Sequence, residues 1–433
     1  MAHRRVRLGR GVALLAVVAV TGAIVAPAAT AARQDKKEAF PSVDQPGVSD
    51  TEIKVAGVAT VTNDPTGNTL GSSFDGVKAY FDYINKKEGG VYGRKLVLDG
   101  EHDDQLANNR QEVQAILDDE PFAVLPVAVA LFTGASLLAD AGIPTFGWNI
   151  NPEWGSETVD PGPPNLFGQF GSFHCFSCAF PSPQVWLAKK LGLKKAATIA
   201  YDVAQSKGCA DGFEASLKKY PVAKLVFKDT SLPYGNSDYS ADVARMAEEG
   251  VDYVVPCIDG NGAVTLSREM QRQGLDATMV LANAYNHPFA EENAQFVDGN
   301  YVFTVFAPFE TRPKPPGLKL YEQWTKKTGG DQNENSYVGW MNADLFVAGL
   351  KAAGADFTQQ KVVDAINAMK DWSAGGILPG VDWTTAHEND PECYAILRFQ
   401  DGKYKPVFGK PGKPFLCFPA DLKTIPTDPQ VTG

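Results

Sequence analysis

Three features of the sequence predict an α/β protein built of two Rossmann-like lobes. Short β-rich runs alternate with amphipathic helices, a proline-rich stretch interrupts the alternation before it resumes, and 433 residues that are 44% hydrophobic can fill two cores. Ile53 to Ala59, Leu96 to Leu98, Phe122 to Val127 and Ile143 to Phe146 read as the first four strands. Pro152 to Pro164 breaks the pattern, and Ala196 to Tyr201, Leu225 to Lys228, Val251 to Pro256 and Thr278 to Ala282 form a second set. Tyr301 to Phe306 then leads into helices at about Gly317 to Lys327, Ser336 to Ala353 and Thr358 to Met369, and into a hairpin from Cys393 to Phe408 that turns at Asp401-Gly402. Three tail helices carrying Tyr337, Trp340, Met341 and Phe346 cannot bury those faces alone, so they must pack on one of the sheets. Periodicity does not say which.

The first residues read as an export signal. Arg4, Arg5, Arg7 and Arg10 precede an apolar run from Gly11 to Ala26, and Ala29-Thr30-Ala31 has the form of a signal peptidase site, which assigns 1–31 to the signal. The unbroken apolar stretch falls short of the ~18 to 20 residues that a spanning helix needs. Residues 32–49, with Pro41 and Pro46, read as a flexible lead-in. The expected location is extracellular or in the cell envelope, with no lipid anchor evident, because no cysteine lies near residue 32. Removing four arginines takes the formal charge from −11 to −15, and a chain so acidic is not expected to bind nucleic acid.

One block is distinctive. Phe74, Val77, Phe81 and Ile84 share a helix face, Gly89 and Gly90 end that helix, and Tyr92-Gly93-Arg94 turns the chain into the apolar run Leu96-Val97-Leu98, with Asp103-Asp104 beyond it. Together with Ile53 to Val58 ahead of it, this block resembles the start of the type I periplasmic (solute) binding proteins of the branched-chain amino-acid ABC transporter family. The resemblance extends over about residues 50 to 418. It implies two lobes joined by hinge strands, with 50–167 and 308–390 in lobe one, 168–307 and 391–418 in lobe two, and a C-terminal tail at 419–433. It also implies a monomer that hands its solute to ABC permease and ATPase subunits. The alternative is a ligand-sensing receptor domain of the same fold without a transport role.

Ligands of open α/β sheets bind beyond the carboxyl ends of the strands. The candidate loops are therefore Thr60 to Leu70, Val127 to Thr133 and Gly147 to Asn149 in lobe one, and Tyr201 to Ser206, Asp259 to Asn261 and Asn283 to Tyr285 in lobe two. The resemblance gives these loops roles: Ala128, Val129, Thr133, Gly147 and Asn149 match positions that hold a ligand carboxylate, and Asn283 falls where the family places an acid for the ligand ammonium. Asp259, one strand away, could stand in, or could serve only the Asp-Gly-Asn-Gly turn. If it does not stand in, an amide, a urea-like compound or a carboxylate without an amino group becomes the expected ligand. Trp148, Phe132, Tyr201 and Tyr285 are large side chains near these loops and suit a flat or bulky solute, although Trp148 could merely fill space between lobes and Thr133 could merely cap a helix.

Six cysteines in an exported chain read as disulfides. Cys209 and Cys257 fall at the carboxyl edge of one parallel sheet, Cys393 and Cys417 bracket the hairpin, and Cys175 and Cys178 remain for each other. A redox role for Cys175-x-x-Cys178, or a zinc site including His174, is the alternative there. Nucleophile elbows, zinc-protease motifs, phosphate loops and dinucleotide fingerprints are absent, so no catalytic residue, metal or cofactor is expected and the chain is read as a binder, not an enzyme.

Overall fold

The computed structural model describes residues 40–66, 70–157, 160–172, 175–282 and 284–433. The expected signal and His174 lie outside the described residues. The first lobe is a parallel sheet built from β1 (Glu52–Ala59), α1 (Ser73–Lys87), β2 (Lys95–Asp103), α2 (Asn109–Asp118), β3 (Ala123–Ala128), α3 (Ala135–Ala141), β4 (Thr145–Gly147) and β5 (Leu166–Gly168), with strand order β2-β1-β3-β4-β5. β3 is buried along its whole length, which is why it is an unbroken apolar run. β2 runs further than Leu96 to Leu98, through Asp103, because an edge strand can continue its ladder with polar side chains facing water. β5 emerges from the proline-rich stretch, where three residues give no periodic signal.

The turn after α1 has a structural purpose. Gly89, Gly90, Tyr92 and Gly93 all have positive φ, and a Cβ on Gly90 would lie 1.9 Å from the Arg94 carbonyl oxygen. This brings Arg94 inward, where its buried guanidinium donates to the carbonyls of Ser49 and Pro41, each at 2.8 Å. Gln45 adds a further tie by accepting the Gln359 N–H at 3.0 Å. Residues 40–49 are thus held against lobe one, not loose as their composition suggested.

The second lobe repeats the pattern with α4 (Pro183–Leu191), β6 (Lys195–Tyr201), α5 (Ala204–Lys219), β7 (Lys224–Leu232), α6 (Ser240–Glu249), β8 (Tyr253–Cys257), α7 (Gly260–Gln273), β9 (Thr278–Leu281), α8 (His287–Glu292), α9 (Ala294–Val297) and β10 (Tyr301–Thr304). The chain then returns to the first sheet with α10 (Pro316–Thr328), α11 (Glu334–Ala353) and α12 (Gln359–Asn367). α11 packs on α1 and β3 and buries Tyr337, Trp340, Met341 and Phe346, and the Tyr80 hydroxyl donates to Asp344 at 2.9 Å across that packing. A last crossing gives β11 (Cys393–Gln400), β12 (Lys403–Val407), β13 (Phe415–Cys417) and β14 (Gln430–Thr432). The second sheet runs β14-β13-β11-β10-β9-β8-β6-β7, parallel from β6 to β10 and antiparallel beyond, with β12 paired to β11. The C-terminal stretch is therefore part of this sheet through β14, and Leu422 and Ile425 carbonyls accept from Tyr220 and Lys189.

The three chain segments that pass between lobes run close together: Ser172 donates its N–H to the Ala386 carbonyl at 2.9 Å and Ala307 to that of Ile377 at 2.7 Å. All six cysteines are bonded, as Cys175–Cys178, Cys209–Cys257 and Cys393–Cys417. Cys393 and Cys417 are direct ladder partners in β11 and β13. Cys209 lies in the second turn of α5, which begins at Ala204 and not at the cysteine. Among the described residues, no group of three or more His, Cys, Asp or Glu is arranged to hold a metal, and no helix is long and apolar enough to cross a membrane.

Candidate functional site

The carboxyl ends of β6 and β8 face the end of β4 across a seam, and the lobes meet there. The Gln205 side chain donates to the Ala130 carbonyl at 2.9 Å, Asn261 donates to that of Thr66, and the N–H groups of Phe176 and Ser177 donate to Glu157. Between them lies a cavity of about 230 Å³ walled by aromatic side chains from lobe two, with Trp148, Ile150 and Glu334 arriving from lobe one. A second space of about 320 Å³ adjoins it, lined by Asn261, Tyr285, Asn286, Asn333 and Asn335, and sharing Trp148 and Glu334 with the first.

Local sequence explains the wall. α5 carries Gly208 and Gly212 where the bonded loop 175–178 lies on it: a Cβ on Gly212 would be 2.2 Å from the Phe176 carbonyl oxygen. That close approach lets Phe176 line the cavity beside the Cys209–Cys257 bond. Asp259 is the N-cap of α7, its Oδ1 accepting the N–H groups of Asn261 at 2.9 Å and Gly262 at 3.0 Å, while Oδ2 accepts the Tyr201 hydroxyl at 2.5 Å. Burial raises the Asp259 pKa, opposed by the Tyr201 hydroxyl and the helix N–H groups; burial and the adjacent Asp259 charge push the Tyr201 phenol far up.

Glu334 is the first residue of α11, and Asn333 caps that helix by accepting the Ser336 N–H at 3.0 Å while Ser336 Oγ accepts the Asn333 N–H at 3.2 Å. Burial pushes the Glu334 pKa up to about 8, opposed by the nearby Tyr285 backbone of lobe two, and both residues line the second space. Among the described residues no side chain pairs with it.

Of the residues named from the sequence, Trp148, Tyr201 and Asp259 line the cavity and Tyr285 lines the adjoining space. Ala128 and Val129 do not: their carbonyls accept the Thr60 N–H at 3.0 Å and the Asn151 amide at 3.1 Å inside lobe one. Thr133 is exposed and caps nothing, because α3 starts after Gly134, whose N–H donates to Asn109 at 2.7 Å. Gly147 sits where a Cβ would strike the Val127 carbonyl and the Trp154 ring, and Asn149 is buried, holding Gln169 and Gly171 of the crossing segment. Phe132 stacks on Trp154 in the lobe-one core, ring centroids 4.9 Å apart, and not in the cavity. Asn283 lies outside the described residues. The sequence reading missed Glu334, because it started the helix at Ser336; the Asn-x-x-Ser cap ahead of the apolar run was the available signal.

Comparison with known proteins comes down to fold and family. The profile of a family described as periplasmic binding protein matches residues 52–403. A search of curated proteins finds no match. A fatty acid ABC transporter substrate-binding protein from Thermomonospora curvata is similar at TM-score 0.69 and 18% identity, over 90% of this chain and 98% of that one. A solute binding protein of an R. palustris ABC transporter, in complex with benzoate, gives 0.67 and 16% over 85% and 98%. A Thermus thermophilus branched-chain amino acid ABC transporter protein with bound valine gives 0.67 and 18% over 82% and 95%.

Proposed function

Since the chain belongs to the periplasmic binding protein family, we propose that it is an exported solute receptor of an ABC uptake system, closing on one small molecule and presenting it to a permease and its ATPase subunits. One observation carries the reading: a cavity walled by aromatic side chains lies at the seam of two lobes that share three crossing segments and are bridged by hydrogen bonds. Trp148, Tyr201, Asp259, Tyr285 and Glu334 are its contact residues. The benzoate and fatty acid relatives support a ligand with a sizeable apolar body, beside the amino acids, amides and urea-like compounds of the wider class. The protein acts as a monomer outside the cytoplasm, by binding and without turnover.

The mechanism is a hinge equilibrium. A solute touching both lobes favours the closed form by its difference in affinity for the two forms, and turning a mostly open population into a mostly closed one takes ~5 kcal/mol. A thermal-shift screen over amino acids, amides, ureas, amines and aromatic acids is expected to find stabilising ligands, and small-angle scattering to show contraction when they bind. Scattering that is identical with and without every stabilising compound would overturn the hinge.

A further inference from the structure

The charges around the cleft are one-sided. Asp259 faces the deep cavity, Glu292 stands at the rim of the adjoining space, and Glu334 stands where the two join; among the described residues no lysine, arginine or histidine lines either. Helix starts, the other common source of positive potential, are partly spent. Asp259 itself takes the Asn261 and Gly262 N–H groups of α7, and Asn333 takes the Ser336 N–H of α11. A carboxylate ligand would therefore meet acids. Trp148, Tyr201, Tyr234 and Tyr285 line these spaces with aromatic side chains, which suit a cation, and the apolar wall takes a hydrocarbon body. Asp259 already accepts three hydrogen bonds, whereas among the described residues no side chain pairs with Glu334.

Resting on the reading of this cleft as the solute site, we infer that its ligand is an organic amine with an aromatic or aliphatic body, whose cationic head sits at the neck against Glu334 of lobe one. The cavity of about 230 Å³ takes the body and the asparagine-rich space of about 320 Å³ takes whatever polar groups follow the head. Glu334 comes from lobe one and lines both spaces beside lobe-two residues, which couples cation recognition to closure.

The test is calorimetric titration with 2-phenylethylamine and with 3-phenylpropanoate, a matched pair differing in the sign of the head. The amine is expected to bind the protein and the carboxylate is not, and Glu334→Gln should weaken the amine by at least about tenfold while Glu248→Gln, exposed on α6 and lining neither space, changes little. Equal or tighter binding of 3-phenylpropanoate, or an amine affinity unmoved by Glu334→Gln, overturns the inference. If Glu334→Gln melts early, Glu334→Asp carries the test: it should keep the preference for the amine, and equal affinity for the two probes overturns it. Should other solutes raise the melting temperature while the amine does not, this inference fails alone; should no solute do so, the binding-protein reading fails with it.

Discussion

The two lobes share a plan but contribute unequally to the cleft. Lobe two gives it a wall of aromatic side chains backed by the Cys209–Cys257 bond and the loop 175–178, whereas lobe one gives Trp148, Ile150 and Glu334 and turns its remaining aromatic residues into its own core. Lobe two is a cup and lobe one a lid. The difference teaches that a solute can lodge in the cup of an open molecule and that closure then adds a ring and a carboxyl group. Capture and locking are thus assigned to different parts of the chain.

Mutations can break that division. The largest effect is expected in the lid's interior: Trp340→Ala removes a fully buried ring between α1 and α10 and should cost about 4 kcal/mol of stability in denaturant unfolding, with solute preference unchanged in the folded fraction. In the cup, Cys209→Ser with Cys257→Ser opens a link between residues 48 apart and should cost about 3 to 4 kcal/mol, read by thermal melting, while calorimetry shows weaker binding because the bond also lines the cavity. Were affinity unchanged, the cup would not be the docking half. Trp148→Ala removes the buried ring shared by both spaces and should weaken solutes by about 2 kcal/mol while also lowering the melting temperature of the empty protein; unchanged affinity in the folded fraction would remove Trp148 from the contact set.

Acid should loosen the lid first. His387, packed on Phe167 and Trp383, has its pKa lowered by burial to about 4, from 6.5 in the unfolded chain. The unfolded state therefore takes up a proton as pH falls below 6.5, and stability drops between about pH 6.5 and 4 by up to about 3 kcal/mol, with no contribution above that window. His387→Gln should flatten the melting temperature across this range, and an unchanged slope would assign the loss elsewhere. The smallest effect belongs to Asp259→Asn, which keeps an N-cap for α7 but weakens the bond from Tyr201, for about 1 kcal/mol by thermal melting.

Much of the fold could be read before the coordinates. The eight runs taken as strands in the two alternating sets are strands, the tail helices lie within a few residues of their expected ends, and Asp401-Gly402, both with positive φ, turn the β11–β12 hairpin. These are local matters of side-chain period, turn chemistry and β-branching. The Cys209–Cys257 bond is legible in part, because a parallel sheet fixes which strand ends share an edge. The site was only half legible. Trp148, Tyr201, Asp259 and Tyr285 lie on loops that the carboxyl-end rule selects, yet Ala128, Val129 and Asn149, given roles by resemblance, bond to residues of their own lobe and of the crossing segment instead.

The sequence by itself determined two alternating α/β sets, a buried β3 and a charge that repels nucleic acid, since period, apolar content and net charge need no partner to be read. Only the tertiary structure decided that α10 to α12 return to the first sheet, that residues 40–49 are pinned by Arg94, and that Glu334 and Tyr285 line one space from opposite sides of the seam. Those outcomes depend on which distant surfaces pack together, and a residue's own neighbours in the chain carry no energy that distinguishes one such pairing from another.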